Sequence, residues 1–243
     1  MGCGRFDSHC LFYFPQLIRP TLLLLVVLAL SGCSNALRWT PDYHTVKPGE
    51  TLYTIAMRYD LDTRDIAQWN NLGDGGYIRS GQKLRMKPGG SASRSANTAG
   101  SRSTASSSKP AKKARPALPA PTWRWPTEGT VTYRFGASSK SQSGIRISGR
   151  EGQPVVATAN GEVVYAGTGL KSYGQLVIIK HNDTWLSAYG FNQSLLVSEG
   201  DRIASGQKIA TMGKTSQGKT MLHFEIRRNG QPVDPLRYLS PRN

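Results

Sequence analysis

Acidic residues are scarce in this chain of 243 residues, which has 15 Asp and Glu against 31 Lys and Arg and a formal net charge of +16. A surplus of this size favours a polyanionic neighbour. Nucleic acid is the first candidate for such a neighbour, unless the chain leaves the cytoplasm. Cysteine is also scarce, with three in the whole sequence.

Long hydrophobic runs are absent as well. The apolar stretch from Thr21 to Leu30 has about ten residues, whereas a helix needs ~20 to span a bilayer. This length fits the hydrophobic region of a secretory signal peptide. Small residues and Cys33 follow at once, in an order that resembles the lipobox of bacterial lipoproteins. We therefore predict a lipoprotein signal peptide over residues 1–32 and lipidation at Cys33; an ordinary signal peptide with a chance cysteine is the alternative.

The few cysteines agree with this prediction. Cys3 and Cys10 would leave with the signal peptide, so Cys33 would be the one thiol of the mature chain, and no disulfide could form. Several acyl chains on one cysteine make an essentially permanent anchor. Ser34 follows the cysteine, where such lipoproteins tend to carry aspartate if they stay in the inner membrane. We expect residues 33–42 to be a tether that holds the protein at the periplasmic face of the outer membrane of a Gram-negative envelope. This location outside the cytoplasm argues against DNA as a partner.

Residues 43–88 show the pattern strand, helix, helix, strand. Leu52, Ile55, Ala56 and Tyr59 have the spacing of an amphipathic helix. Thr51 and Thr63 are predicted to cap the two helices. The stretch resembles the LysM family, which binds glycans containing N-acetylglucosamine. It matches that family at three motifs: Tyr43-x-x-Val46-x-x-Gly49-Glu50-Thr51-Leu52, Trp69-Asn70-Asn71-Leu72 and Ile78-x-x-Gly81-Gln82-x-Leu84.

The resemblance implies a shallow glycan-binding groove with two sides. Its predicted lining is Gly49, Glu50, Thr51, Leu52, Asn70, Asn71, Tyr77 and Ile78. Backbone and side-chain amide groups would form hydrogen bonds with the N-acetyl group, while apolar side chains would pack against the sugar ring. Each residue also has a plainer interpretation as a turn or cap residue.

Residues 89–121 are rich in Ser, Ala, Pro and Gly, contain several Lys and Arg, and have no acidic residue. Such a composition cannot bury a core, so we predict a disordered linker. Its basic residues could meet peptidoglycan carboxylates or membrane phosphates, or serve only as a solvated spacer.

Residues 122–243 consist of short apolar runs separated by turn residues, which predicts a mostly antiparallel all-β domain. Asn160-Gly161 and Asn229-Gly230 are strong signals for β-hairpins. The predicted strands are Val155–Ala157, Glu162–Tyr165, Leu176–Lys180, Trp185–Tyr189, Lys208–Met212 and Leu222–Arg227. The fold class is thus a small α+β domain followed by an all-β domain.

The strand around His223 indicates the family of the second domain. Leu222, Phe224 and Ile226 alternate with Met221, His223 and Glu225, so the two sets face opposite sides. The segment resembles the His-x-His-Phe-Glu-Ile strand of the LytM/M23 zinc endopeptidases, which cut peptidoglycan cross-bridges. Further likeness runs from Gly144 to about Leu239.

The resemblance also implies a lost zinc site. A catalytic zinc needs three protein ligands and a position for water. By position, the family's ligand histidine and aspartate fall on Gln142 and Arg146, and its two water-assisting histidines fall on Phe191 and Met221. His223 alone is retained. At ~4 Å and an effective dielectric of ~20, Arg146 would repel a dication by roughly 8 kcal/mol.

We therefore expect no metal, no cofactor and no catalytic residue, with His223 as a hydrogen-bonded strand histidine. The whole arrangement is similar to a group of envelope lipoproteins that activate N-acetylmuramoyl-L-alanine amidases, which makes such an amidase and peptidoglycan the expected partners. Arg146, Phe191, Met221 and His223 would form a groove for an amidase segment. Two alternatives stay open: a zinc endopeptidase with atypical ligands, and a passive tether between outer membrane and cell wall.

Overall fold

The computed structural model describes residues 40–73, 76–88, 117–137 and 143–241. The predicted signal peptide, Cys33, most of the tether, residues 89–116 of the linker and Gln142 therefore lie outside the described residues. In the part of the chain that is described, no helix is long and apolar enough to cross a bilayer.

The first domain has the predicted order of elements. Its elements are β1 (Tyr43–Thr45), α1 (Leu52–Tyr59), α2 (Thr63–Trp69) and β2 (Lys83–Arg85). Strands β1 and β2 pair antiparallel. The two helices bury their apolar faces in a small core formed by Val46, Leu52, Ile55, Ala56, Ile66, Leu84 and Met86. The sequence interpretation as a LysM-type α+β domain is confirmed.

The predicted N-terminal cap is correct for α1 but not for α2. Thr51 caps α1, and its hydroxyl accepts a hydrogen bond from the Thr54 backbone N–H. Thr63, however, is the first helical residue of α2 and not its cap. Asp62 caps α2 instead, because its carboxylate accepts from the Arg64 backbone N–H and its negative charge suits a helix N-terminus. The prediction for Thr63 was wrong by one residue.

The second domain is the predicted antiparallel β domain. Its strands are β3 (Val131–Tyr133), β4 (Ile145–Ser148), β5 (Pro154–Val156), β6 (Gly161–Gly167), β7 (Gln175–Lys180), β8 (Trp185–Leu195), β9 (Arg202–Ile203), β10 (Lys208–Met212), β11 (Met221–Arg228) and β12 (Gln231–Val233). Among the described residues they form one sheet in the order β3-β4-β11-β8-β7-β6-β9, with β10 joining β5 to β8 and β12 joining β11.

The two predicted hairpins have different outcomes. Asn229 and Gly230 both have positive φ, 50° and 76°, and connect β11 to β12 as expected. Asn160-Gly161 makes no hairpin, because β5 pairs with β10 while β6 pairs with β7 and β9. A Cβ on Gly161 would lie 2.5 Å from the Lys180 carbonyl oxygen. Glycine is needed there for close strand approach and not for a turn.

The predicted linker ends earlier than residue 121. The Leu118 backbone N–H donates to the Thr184 hydroxyl at 2.9 Å, and the Trp185 indole N–H donates to the Leu118 carbonyl at 2.9 Å. The last residues of that segment are therefore part of the second domain. The composition of this segment, rich in proline and alanine, did not predict the contact, because the groups that Leu118 contributes are backbone groups.

The two domains also contact each other, and the described residues between 40 and 241 form one compact unit. Met57 of α1 enters an apolar cluster on the outer face of the sheet. The cluster contains Met57, Tyr165, Leu170, Leu176, Ile178 and Ala188. Polar contacts flank it, among them a hydrogen bond of 2.8 Å from the Arg64 guanidinium to the Asn229 side-chain oxygen.

Candidate functional site

The face of β11 that points away from the core forms the candidate site. Leu222, Phe224 and Ile226 are buried in the core, as the alternation predicted. On the opposite face, His223 lies across from Arg146 of β4 and from Gly190 of β8. Directly opposed side chains on one face are close neighbours. The structure thus places Arg146 beside His223, at the position where the sequence analysis expected the remnant zinc site.

Gly144 explains how β4 comes so near to β11. A Cβ at this position would lie 2.3 Å from the Phe224 carbonyl oxygen and 2.8 Å from Cγ of Glu225. Only glycine permits that approach. The close approach at Gly144 keeps β4 in register with β11. This register places Arg146 opposite His223.

The Arg146 guanidinium lies between two aromatic rings. Its Cζ is 5.4 Å from the Tyr133 ring centroid and 5.2 Å from that of Phe191. Both distances are within the range of cation–π attraction. Its Nε is buried and, among the described residues, has no hydrogen-bond partner. Desolvation lowers the pKa of Arg146, although Tyr133 opposes this.

Phe191 reaches this position through an irregular backbone. Strand β8 was predicted to end at Tyr189 but continues to Leu195, and the register with β7 shifts between Tyr189 and Asn192. Phe191 has φ of +62°, which is rare for a residue with a bulky side chain. Bulges of this kind redirect side chains and are common beside functional sites.

A hydrogen-bonded network surrounds His223. His223 Nε2 is 2.8 Å from Glu225 Oε1, and the Tyr173 hydroxyl donates to the same oxygen at 2.8 Å. The Tyr173 and His223 rings meet edge to face at 5.4 Å. Burial, reinforced by Glu225, raises the pKa of Tyr173 well above its usual range, so it remains a donor. These contacts hold the His223 ring in place on β11.

Arg227 extends this network to the other domain. Its Nε donates to Glu225 Oε2 at 2.7 Å, and its Nη1 lies 3.1 Å from a carboxylate oxygen of Asp60 in the LysM-type domain. Arg227 and Glu225 are fully buried, at 1% and 0% exposure. Burial would raise the pKa of Glu225, but Arg227 and His223 outweigh it and hold that pKa far below its usual range.

The side chains that the structure describes at the site do not fit a zinc ion. His223 offers its buried Nδ1, which has no hydrogen-bond partner among the described residues. Around it stand a guanidinium, a phenyl ring and a thioether at Arg146, Phe191 and Met221. A structural or catalytic zinc takes at least three nitrogen, sulfur or carboxylate ligands. Among the described residues no cluster of three such groups is present.

The residues predicted for the glycan groove separate into two sets, and the first has structural partners. Glu50 bonds to His44 Nε2 at 2.7 Å, to the Lys47 backbone N–H at 2.9 Å, and to Arg58. Asn70 bonds to the Ile66 carbonyl and to both backbone groups of Arg85. Gly49 and Asn71 have positive φ in turns.

The second set faces a cavity. Thr51, Leu52, Tyr77 and Ile78 line a space of about 800 Å³ together with residues of the second domain. Tyr77 is 91% exposed, which is unusual for an aromatic side chain. The structure thus brings together half of the predicted groove, one residue pair from each of its two sides.

Four residues of the site were not singled out from the sequence: Tyr133, Tyr173, Glu225 and Arg227. Glu225 and Arg227 had a signal, because they continue the alternation of Met221 and His223 on one face of β11. Tyr173 is part of a Tyr-Gly pair in the M23 likeness, but nothing in the sequence placed it beside His223. Tyr133 had no signal, since it lies on β3 and meets the site only in the fold.

Comparison with known proteins agrees with both domains. Residues 44–87 match the LysM domain, and residues 140–235 match peptidase family M23. The chain is 39% identical over 257 residues to the murein hydrolase activator NlpD of Escherichia coli K12, covering 82% of this chain and 68% of that protein.

Two further relatives match as well. A lipoprotein NlpD/LppB homologue of Pseudomonas aeruginosa is 40% identical over 235 residues, covering 84% of this chain and 78% of that protein. The uncharacterised lipoprotein YgeR of Escherichia coli K12 is 37% identical over 254 residues, covering 99% of this chain and 97% of that protein. The chain belongs to the NlpD/LppB family, and in it a LysM domain precedes a domain of peptidase family M23.

Proposed function

We propose that this protein is an envelope lipoprotein that binds peptidoglycan through its LysM domain and activates an N-acetylmuramoyl-L-alanine amidase through the groove of its M23 domain. It does not hydrolyse peptidoglycan itself. Lipidated Cys33 would anchor it at the periplasmic face of the outer membrane. Activation would serve septal wall splitting and the separation of daughter cells. Relatives named as murein hydrolase activators and lipoproteins support this proposal.

The observation that carries the proposal is the position of Arg146. A permanent cation stands between two aromatic rings where a zinc peptidase of this fold needs a carboxylate. The groove is thereby suited to an acidic side chain flanked by apolar ones. An amphipathic helix that lays such a face into a groove is a common mode of recognition. The amidase segment is thus expected to pair a carboxylate with Arg146, above a floor formed by the buried side chains of Phe191 and Met221.

Amidase activation can be measured directly. A purified envelope amidase is incubated with peptidoglycan, with and without this protein, and the release of stem peptides is followed. We expect release to rise severalfold when the protein is present, and no release from the protein alone. An unchanged rate would contradict activation, whereas cleavage of cross-bridges by the protein alone would favour the endopeptidase alternative.

Glycan binding makes a separate prediction at Tyr77. Tyr77→Ala should weaken binding to peptidoglycan about tenfold, because covering the face of an aromatic ring contributes ~1.5 kcal/mol. The melting temperature should stay within a degree or two, since the side chain is almost fully exposed. Pull-down with insoluble peptidoglycan measures the binding.

Tyr43→Ala is the matched control for Tyr77→Ala. Tyr43 is also an exposed tyrosine of the LysM domain, at 47%, but its ring faces Lys83 and Arg85 and does not line the cavity. It should bind peptidoglycan like the wild type. Equal weakening in both variants would show that the loss is not specific to the groove.

Zinc should not stabilise the protein. A ligand present at 100 times its Kd stabilises the folded state by ~2.7 kcal/mol, enough to raise the melting temperature by several degrees. We expect no shift for the wild type with micromolar zinc or with a chelator. The variant Gln142→His with Arg146→Asp restores the family's ligand set beside His223 and serves as the positive control. A zinc-dependent shift in the wild type would refute the loss of the metal site.

A further inference from the structure

The predicted glycan groove of the LysM domain opens into a cavity that it shares with the M23 domain and that remains partly open to solvent. The cavity has a volume of about 800 Å³, in the range of pockets that enclose a drug-sized ligand, which is also the size of a short oligosaccharide. One wall is the LysM domain, with Leu52, Leu72, Tyr77 and Ile78. The other wall belongs to the M23 domain.

The M23 wall comes from the outer face of the sheet. Lys180 at the end of β7 lies directly opposite Leu186 of β8, so the two side chains share one face. Asp183 pairs with Lys180 at 2.7 Å, and both side chains keep substantial exposure, at 61% and 36%. Val164 and Glu199 also line this wall. The remnant zinc site uses none of these residues.

The charges of the cavity indicate what class of ligand fits. Both cations that line it are already paired, Arg64 with Asp62 and Lys180 with Asp183, each at 2.7 Å. The lining also mixes apolar faces with hydrogen-bonding groups. A polyanion would find neither of these cations unpaired, whereas a neutral polar ligand would find both apolar cover and partners.

The contact between the domains fixes the width of the cavity. The loop between α1 and α2 touches the turn between β11 and β12 so closely that a Cβ on Gly230 would lie 2.1 Å from the Leu61 carbonyl oxygen. The Asp60 carbonyl accepts a hydrogen bond from the Gln231 side chain in the same place. Asp60 also pairs with the buried Arg227. The second wall is therefore held against the first by specific contacts.

We infer that the M23 domain supplies half of a composite glycan site, in which an N-acetylated oligosaccharide is bound between Leu52, Tyr77 and Ile78 on one side and Leu186, Lys180 and Asp183 on the other. This inference rests on the glycan binding proposed above and extends it to residues outside the LysM domain. A strand held there is in contact with the domain that carries the amidase groove.

Calorimetric titration of the purified protein with the β-1,4-linked pentamer of N-acetylglucosamine tests this inference. Lys180→Ala and Asp183→Ala should each weaken binding about fivefold, because each removes hydrogen-bonding groups from the second wall. Lys208→Ala is the matched control, since Lys208 is exposed on β10 and does not line the cavity. It should bind like the wild type.

A second variant tests the docking of the two walls. Gly230→Val places a side chain against Leu61 at a residue with φ of +76°, so it should separate the walls and weaken binding at least fivefold. Binding by Gly230→Val as tight as the wild type, or tighter, would overturn the composite site, because the M23 domain would then be neutral or obstructive.

The outcomes separate this inference from the function on which it rests. No binding by the wild type would refute glycan recognition by the LysM domain itself. Weakening by Tyr77→Ala, with wild-type affinity in Lys180→Ala and Asp183→Ala, would leave the LysM groove intact as a binding site and overturn the composite site.

Discussion

Arg227→Met is expected to destabilise the protein by ~3–5 kcal/mol, because removing one partner of a buried ion pair leaves the other charge uncompensated. The fully buried charge left behind is Glu225, which has no exposed surface, and Asp60 also loses its ion pair with Arg227. For a unit of this size the melting temperature should fall by about 10 °C. Differential scanning calorimetry measures the change.

A double variant separates the lost pair from the lost side chain. Glu225→Gln in the Arg227→Met background removes the stranded charge but keeps groups that can bond to His223 and Tyr173. Replacing a buried pair by neutral groups is often close to neutral in stability. The double variant should therefore recover more than half of the loss. A double variant as unstable as Arg227→Met would show that packing, and not charge, causes the effect.

Arg237→Ala provides the surface comparison for Arg227→Met. The Arg237 side chain is 82% exposed, and its carboxylate partner Asp234 is 3.9 Å away. Exposed pairs of this kind contribute little. The melting temperature of Arg237→Ala should match that of the wild type. A fall as large as that of Arg227→Met would show that the buried pair contributes no more to stability than an exposed one.

Glu225 also makes stability depend on pH in the acid range. Its pKa is lowered in the folded state from an ordinary value of 4.5. A lowered carboxyl pKa contributes stability at pH values above 4.5 and loses it as the pH falls toward the folded pKa. Arg227 stays protonated throughout this range. Below pH 4.5, the melting temperature of the wild type should therefore fall more steeply than that of the double variant.

Much of the fold could be predicted because local signals and packing agree. The alternation of Leu222, Phe224 and Ile226 gave the buried face of β11, and the spacing of Leu52 and Ile55 gave α1. Local signals misled where glycine serves close packing. At Gly161 the hairpin pattern was present, but the need for glycine comes from Lys180, which is remote in sequence.

The sequence predicted which residues replace the zinc-site residues of the family, but it did not predict how the surrounding side chains are arranged in space. Position in a motif placed Arg146 beside His223, and the strand register confirms that they are opposite. The second aromatic ring, from Tyr133, was not visible, because β3 meets β4 only through the sheet. Nor was the role of Asp60 visible, since its contact with Arg227 joins two domains across a linker.

Arg146→Glu is expected to abolish most of the amidase activation. If an amidase carboxylate pairs with the guanidinium, reversal of the charge replaces attraction by repulsion and costs ~2 kcal/mol or more. That corresponds to at least a roughly 30-fold higher concentration for half-maximal activation. The readout is stem-peptide release by the purified amidase, titrated with the variant.

Arg202→Glu makes the same change of charge at a remote place. Arg202 is exposed on β9, at the end of the strand order away from β4. If activation depends on net charge alone, the two variants should lose activity alike. We expect Arg202→Glu to activate like the wild type, and an equal loss would refute a specific role of Arg146.

Arg146→Met tests whether the arginine serves function or fold. The guanidinium is partly desolvated, and its Nε has no hydrogen-bond partner among the described residues, so its charge opposes folding, although the two rings offset part of that cost. Methionine keeps the contact with the rings and removes the charge. The melting temperature should therefore stay equal or rise while activation falls at least tenfold. A residue needed only for structure would lower both together, whereas opposite changes are expected where a protein gives up stability for a binding site.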